Sequence, residues 1–194
     1  MTPRPVPELA VAARDVLAVL HEAGHRACVI GALAVHRWGE PRATSDADLS
    51  VLAPYGEEEP VVDLLLSRFT ARRPDARAFA LVSRVLLLKT RDGVDVDVAL
   101  AAFPFEIEAL ETATSWEIVP GVRLRTCPAE HLVIYKLVAA RTRDVGDLEG
   151  IVRRQGARLD IELIRRWGRQ FAELKEDPEL LRPFEDALQK AQST

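Results

Sequence analysis

Two aspartates separated by one residue, Asp46 and Asp48, and a third, Asp97, set among valines are the side chains best suited to chemistry in this sequence. Carboxylate oxygens are the ligands that hard divalent cations such as Mg²⁺ or Mn²⁺ prefer. Two such ions about 3.5–4 Å apart clamp the attacking and leaving oxygens of a phosphoryl transfer. On a strand, Asp46 and Asp48 share one face with Cα atoms about 7 Å apart, because side chains alternate at period two. Asp is also common in turns, so the pair has a second reading as the end of a loop. Leu49, Ser50, Val51 and Leu52 follow directly and place it at the start of a buried strand. Asp95 shares the face of Asp97 and shows that an acid there can be tolerated without a role.

Gly31 is the next candidate. It stands where the β-prone run Arg26–Ile30 meets the helical run ALAVHRW. A glycine at such a junction lets the backbone approach a phosphate, and the free N–H groups of the first helical turn attract its charge. Its other reading is an ordinary turn residue.

These residues need elements to hold them. Leu9, Ala13, Val16, Leu17 and Leu20 recur at helical spacing and predict a first helix that stops at Gly24. The loop EPRATS leads to the strand DADLSVL, and Pro60 opens a helix over residues 60–69. A hairpin follows, ALVSRVLLLKT and VDVDVAL around Asp92-Gly93. Phe103–Thr112 reads as a helix and SWEIVPGVRLRT as a shorter hairpin. From Pro128 the pattern is helical only, with the last helix starting near Pro178. The expectation is an α+β core over residues 1–127 and a helical subdomain over residues 128–194.

Composition narrows the function classes. With 194 residues, 48% of them hydrophobic, the chain buries one substantial core, and its formal charge of −4 excludes a surface that is wholly a nucleic-acid footprint. Cys28 and Cys127 lie far apart with no zinc or disulfide spacing, which suits a reducing cytoplasm. No run has the roughly 18 apolar residues of a membrane span, and charges interrupt the N-terminal segment where a signal peptide would be apolar.

Taken together, GALAVHRWGEPRATSDADLSV resembles the signature of the polymerase β-like nucleotidyltransferase superfamily, a small-residue pair, a short helix and then Asp-x-Asp. Arg42, Thr44, Asp46, Asp48 and Leu49 resemble the Arg-x-Thr-x-Asp-x-Asp-Leu run of its AbiEii-type branch, which includes toxin nucleotidyltransferases. VDVDVALAAFPFE resembles the second motif and puts the third carboxylate at Asp97. CPAEHLVIYKLVAAR resembles the third, with Lys136 and Arg141, and RDVGDLEGI the fourth, with Arg143, Asp144, Asp147 and Leu148. The similarity runs from about Val29 to Ile151. One position departs from it, since the second small residue, usually Gly or Ser, is Ala32.

The resemblance implies a nucleotidyltransferase core, a mixed sheet flanked by helices, that moves a nucleoside monophosphate from an NTP to an acceptor hydroxyl. Asp46, Asp48 and Asp97 would hold Mg²⁺ or Mn²⁺, with Asp97 taking the acceptor proton. Gly31, Ala32, Arg42, Thr44, Ser45 and Lys136 would hold the nucleotide, and Asp144 would join the catalytic set. Lys136 has a second reading as a snorkelling lysine, and Asp144 with Asp147 as a structural ion pair. His36 reads as an ordinary surface or core residue. The acceptor is open between a tRNA 3′ end, a small molecule such as an aminoglycoside, and a protein side chain. A toxin would need an antitoxin partner. The arginines of the C-terminal helices, Arg153, Arg154, Arg165, Arg166 and Arg169 among them, read either as an RNA guide or as a salt-bridged solvated face. The competing class is a non-catalytic module that binds a nucleotide or a protein.

Overall fold

A computed structural model gives the fold and describes residues 2–192. The chain forms two compact units. One comprises the residues up to Leu33 together with Ala43–Cys127, and the other Ala34–Arg42 together with the chain from Pro128 onward.

The first unit is built on a mixed sheet. Helix α1, Val6–Glu22, buries Leu9, Ala13, Val16, Leu17 and Leu20, the stripe expected from its spacing. Strand β1, Ala27–Ile30, runs straight into α2, Gly31–Trp38. Strand β2 is Asp46–Leu52, and α3, Glu59–Arg68, carries its proline in the first turn. Then come β3, Thr70–Ala71, α4, Ala76–Ser83, β4, Val85–Lys89, and β5, Asp95–Ala101. Helix α5, Pro104–Glu111, precedes β6, Thr114–Val119, and β7, Val122–Thr126.

Among the described residues these seven strands form one sheet in the order β3-β4-β5-β2-β1-β7-β6. The β2–β5 and β1–β7 pairs are parallel and the other pairs antiparallel. On β5, Val96 and Val98 are fully buried and alternate with the acids, as period two requires. Gly93, at φ +76°, closes the β4–β5 turn, where Thr90 N–H donates to the Val94 carbonyl at 2.9 Å.

The hairpin is shorter than the sequence pattern predicts. Ala80–Ser83, read as strand, belongs to α4, whose helix-forming residues bury Ala76 and Ala80 on one face. Arg84 ends it at φ +57°, directly before β4. Its guanidinium bonds Glu58 and the carbonyls of Ala53 and Leu100, which holds this left-handed residue in place without a glycine.

The second unit contains α6, Ala129–Ala139, α7, Thr142–Gln155, a 3₁₀ turn at Gly156–Arg158, α8, Ile161–Leu174, and α9, Arg182–Gln192. Asp160 caps α8 by accepting from Leu163 N–H at 2.9 Å. Helix α9 starts four residues later than its sequence signal, because Asp177 takes the N–H of Glu179 and that of Leu180 into a turn. No helix of the described residues is long and apolar enough to cross a membrane.

Candidate active site

The parallel β2–β5 pair decides where the acids fall. Its register sets Asp46 opposite Asp95 and Asp48 opposite Asp97, so period two turns all four carboxylates to one face of adjacent strands. Asp46 and Asp48 are half-buried, and Asp97 keeps 30% of its side chain exposed. Thr44 donates its hydroxyl to Asp46 Oδ1 at 2.8 Å. Ser45 precedes the strand and is half-buried.

Gly31 lies against this face. A Cβ added to it would fall 2.0 Å from Asp48 Oδ2 and 2.6 Å from Asp48 Cβ, and its φ of +62° disfavours any side chain. Asp48 and the first turn of α2 are thus packed backbone to carboxylate. Ala32, next in α2, is buried at 3% exposure. The junction keeps its close approach although the second small residue is alanine.

Arg72, just past β3, was not singled out by any sequence pattern. Its guanidinium bonds Asp97 Oδ1 and reaches Asp95 Oδ2 at 3.1 Å, and Lys89 also donates to Asp95. Asp95, read as merely tolerated, is therefore nine-tenths buried under two cations. Burial works against its charge, but the Lys89 and Arg72 bonds outweigh it and hold the carboxyl below its ordinary range. Asp97 goes the other way. Burial raises its pKa, Arg72 opposes that, and the charges of Asp46 and Asp95 add to the rise.

As donors, Asp46, Asp48 and Asp97 suit a hard cation, being carboxylate oxygens on one face with the Gly31 backbone beside them. As arranged, no group of three or more His, Cys, Asp or Glu side chains among the described residues is disposed to hold a metal ion. Arg72 occupies Asp97 Oδ1 in this arrangement.

The remaining candidates gather in the second unit. Lys136 Nζ, at 7% exposure, donates to Asp144 Oδ1 at 3.0 Å and lies 2.8 Å from Asp147 Oδ2. Arg42 Nε donates to Asp147 Oδ1 at 2.6 Å and its Nη2 to Oδ2 at 3.0 Å. Burial pushes the Asp147 carboxyl up, and the Arg42 and Lys136 bonds more than reverse it, leaving the group below its ordinary value. His36 bonds the Arg42 carbonyl through Nε2 at 2.9 Å. Of the surface arginines, Arg165 pairs with Glu162 and Glu185, Arg153 with Glu40, and Arg154 donates to the Gly39 carbonyl.

No protein-family profile matches the chain, and no curated protein matches it. Solved structures do. One is an antigenic nucleotidyltransferase-like protein from Paracoccidioides brasiliensis, with a TM-score of 0.56 and 16% identity over 97% of this chain and 95% of that one. A solution structure of the antibiotic-resistance factor ANT(2″)-Ia matches with a TM-score of 0.55 and 17% identity over 88% of this chain and 96% of its own. A crystal structure of ANT(2″)-Ia in complex with adenylyl-2″-tobramycin matches at 0.54 and 14%, over 86% and 100%. Identities this low speak to architecture alone. With its mixed α+β core, flanking helices and C-terminal helical subdomain, the chain has the polymerase β-like nucleotidyltransferase fold.

Proposed function

We propose that this protein is a metal-dependent nucleotidyltransferase that moves a nucleoside monophosphate from an NTP to an acceptor hydroxyl. The observation that carries the proposal is the register of Asp48 beside Asp97 with the Gly31 backbone packed on Asp48. Asp46, Asp48 and Asp97 would hold Mg²⁺ or Mn²⁺, which when bound neutralises developing charge on the transferred phosphoryl group. The N–H groups that open α2 after Gly31, with Ala32, Thr44 and Ser45 nearby in sequence, would receive the triphosphate. Asp97, whose burial favours the protonated form, would take the acceptor proton.

For Lys136, Asp144 and Arg42 the ion cluster supports a positioning role. The ammonium already has two carboxylates within 3.0 Å, and the guanidinium is forked onto Asp147. The acceptor is proposed only by class. The AbiEii-type motif favours a toxin acting on tRNA, with an antitoxin as partner. The likeness to ANT(2″)-Ia favours a small hydroxylated antibiotic. Among the arginines of the C-terminal helices that would guide RNA, Arg153, Arg154 and Arg165 have acidic or carbonyl partners, which supports the salt-bridged face instead. A non-catalytic binding module is the second reading, and the Arg72 contact with Asp97 favours it.

Incubation with ATP labelled at the α or the γ phosphate, with total RNA or an aminoglycoside panel as acceptor, separates these readings. Transfer of α label with Mg²⁺, lost in Asp97→Asn, is the expected result. Transfer of γ label indicates a kinase, and full activity of Asp97→Asn excludes the assignment.

A further inference from the structure

We propose that Arg72 is a resident cation of the acidic face, and that a divalent ion must win an Asp97 oxygen from its guanidinium before the site is loaded. This holds only with Asp46, Asp48 and Asp97 as the metal ligands of the proposed transferase. The guanidinium bridges the two acids of β5, touching Asp97 Oδ1 on one side and Asp95 Oδ2 at 3.1 Å on the other. Of the proposed ligands, Asp97 carries the Arg72 guanidinium, while Asp46 accepts from the neutral Thr44. The two anchors differ. Asp95 is shared with Lys89 and is nearly buried, so Arg72 retains a partner after leaving Asp97.

The bridging pose is also imperfect. Arg72 Nε is buried with no hydrogen-bond partner among the described residues, although the other two nitrogens are engaged. A buried donor left unmade weakens the state that contains it. Exchange of Asp97 from guanidinium to metal therefore releases a pose that already has a defect. Before loading, the same contact offsets the repulsion between neighbouring carboxylates, as a bound cation would.

The test is titration of Mn²⁺ into the full chain without nucleotide, followed by calorimetry. Arg72→Met keeps the apolar stem and removes the charge. It is expected to lower the Mn²⁺ dissociation constant about tenfold, the size of one charge-assisted contact. That gain disappears when Asp97→Asn is added. Lys89→Met removes a cation that touches Asp95 and not Asp97, and is expected to change affinity by no more than about twofold. Unchanged or weaker binding by Arg72→Met overturns the proposal, and so does an equal gain in Lys89→Met, which would mark a net-charge effect. If neither wild type nor variant binds Mn²⁺, the metal assignment itself falls and the role of Arg72 with it. Should Arg72→Met fail to fold, the wild type still decides. Saturating Mg²⁺ is expected to speed rotation of the Arg72 guanidinium in its nitrogen NMR signals, identified by their loss in Arg72→Lys, and unaltered rotation overturns the inference.

Discussion

Replacing Gly31 by alanine imposes two separate costs, one on the backbone and one on Asp48. At φ +62° an L side chain is strained by roughly 1–2 kcal/mol. The new methyl would stand 2.0 Å from Asp48 Oδ2, 2.4 Å from its Cγ and 2.6 Å from its Cβ, so the end of the side chain cannot simply swing away. Overpacking of this kind costs about 1–3 kcal/mol, giving a total of about 2–5 kcal/mol. At roughly 2–4 °C per kcal/mol for a chain of this length, the thermal midpoint is expected to fall by about 4–20 °C. Activity should fall further than stability, because a carboxylate displaced by about 1 Å costs on the order of a hundredfold in rate. The assay is a double-mutant cycle with Asp48→Gly, read by denaturant unfolding. The steric part predicts a favourable coupling of at least about 1 kcal/mol between the two changes. Zero coupling, or a Gly31→Ala protein as stable and active as wild type, refutes the close packing of glycine and acid.

Three further outcomes are expected. Lys136→Met strands the Asp144 carboxylate in a buried setting and should cost about 3–5 kcal/mol in urea unfolding. The folded pKa of Asp147 lies below its unfolded value, so its contribution is fully present above about pH 4 and is lost as pH falls through the lower folded value. Asp147→Asn should accordingly flatten the acid limb of a stability profile measured from pH 2 to 6. Burial pushes the Cys28 thiol up to about 12, so iodoacetamide at pH 8 should leave it unmodified in the folded protein and label it in guanidinium, as read by mass spectrometry.

Period-two alternation was enough to put Asp46 with Asp48, and Asp95 with Asp97, on shared faces. The meeting of those faces was legible only through the motif, because the β2–β5 register joins residues about fifty positions apart and no local pattern encodes it. Arg72 was hidden for a related reason. It lies beside a strand of two residues, and the helix that follows ends in Ala80, Leu81 and Val82, an apolar run that suits either element. The late start of α9 turns on Asp177, whose side chain takes the N–H of Glu179 and whose carbonyl takes that of Leu180. Lys136 on an apolar helix permitted two readings, and only the fold could show that two carboxylates from α7 come to meet it.

The order of the sheet has a consequence for how the protein breathes. Asp46, Asp48 and Asp97 lie on β2 and β5, each flanked by a strand on both sides, whereas Arg72 follows the two-residue outermost strand. Outer elements with few backbone bonds open first, and interior ladders last. Deuterium should therefore enter the amides around Thr70 to Arg72 well before those of Ala47 to Val51. Fraying at that margin would carry the guanidinium outward and leave the acids where they stand.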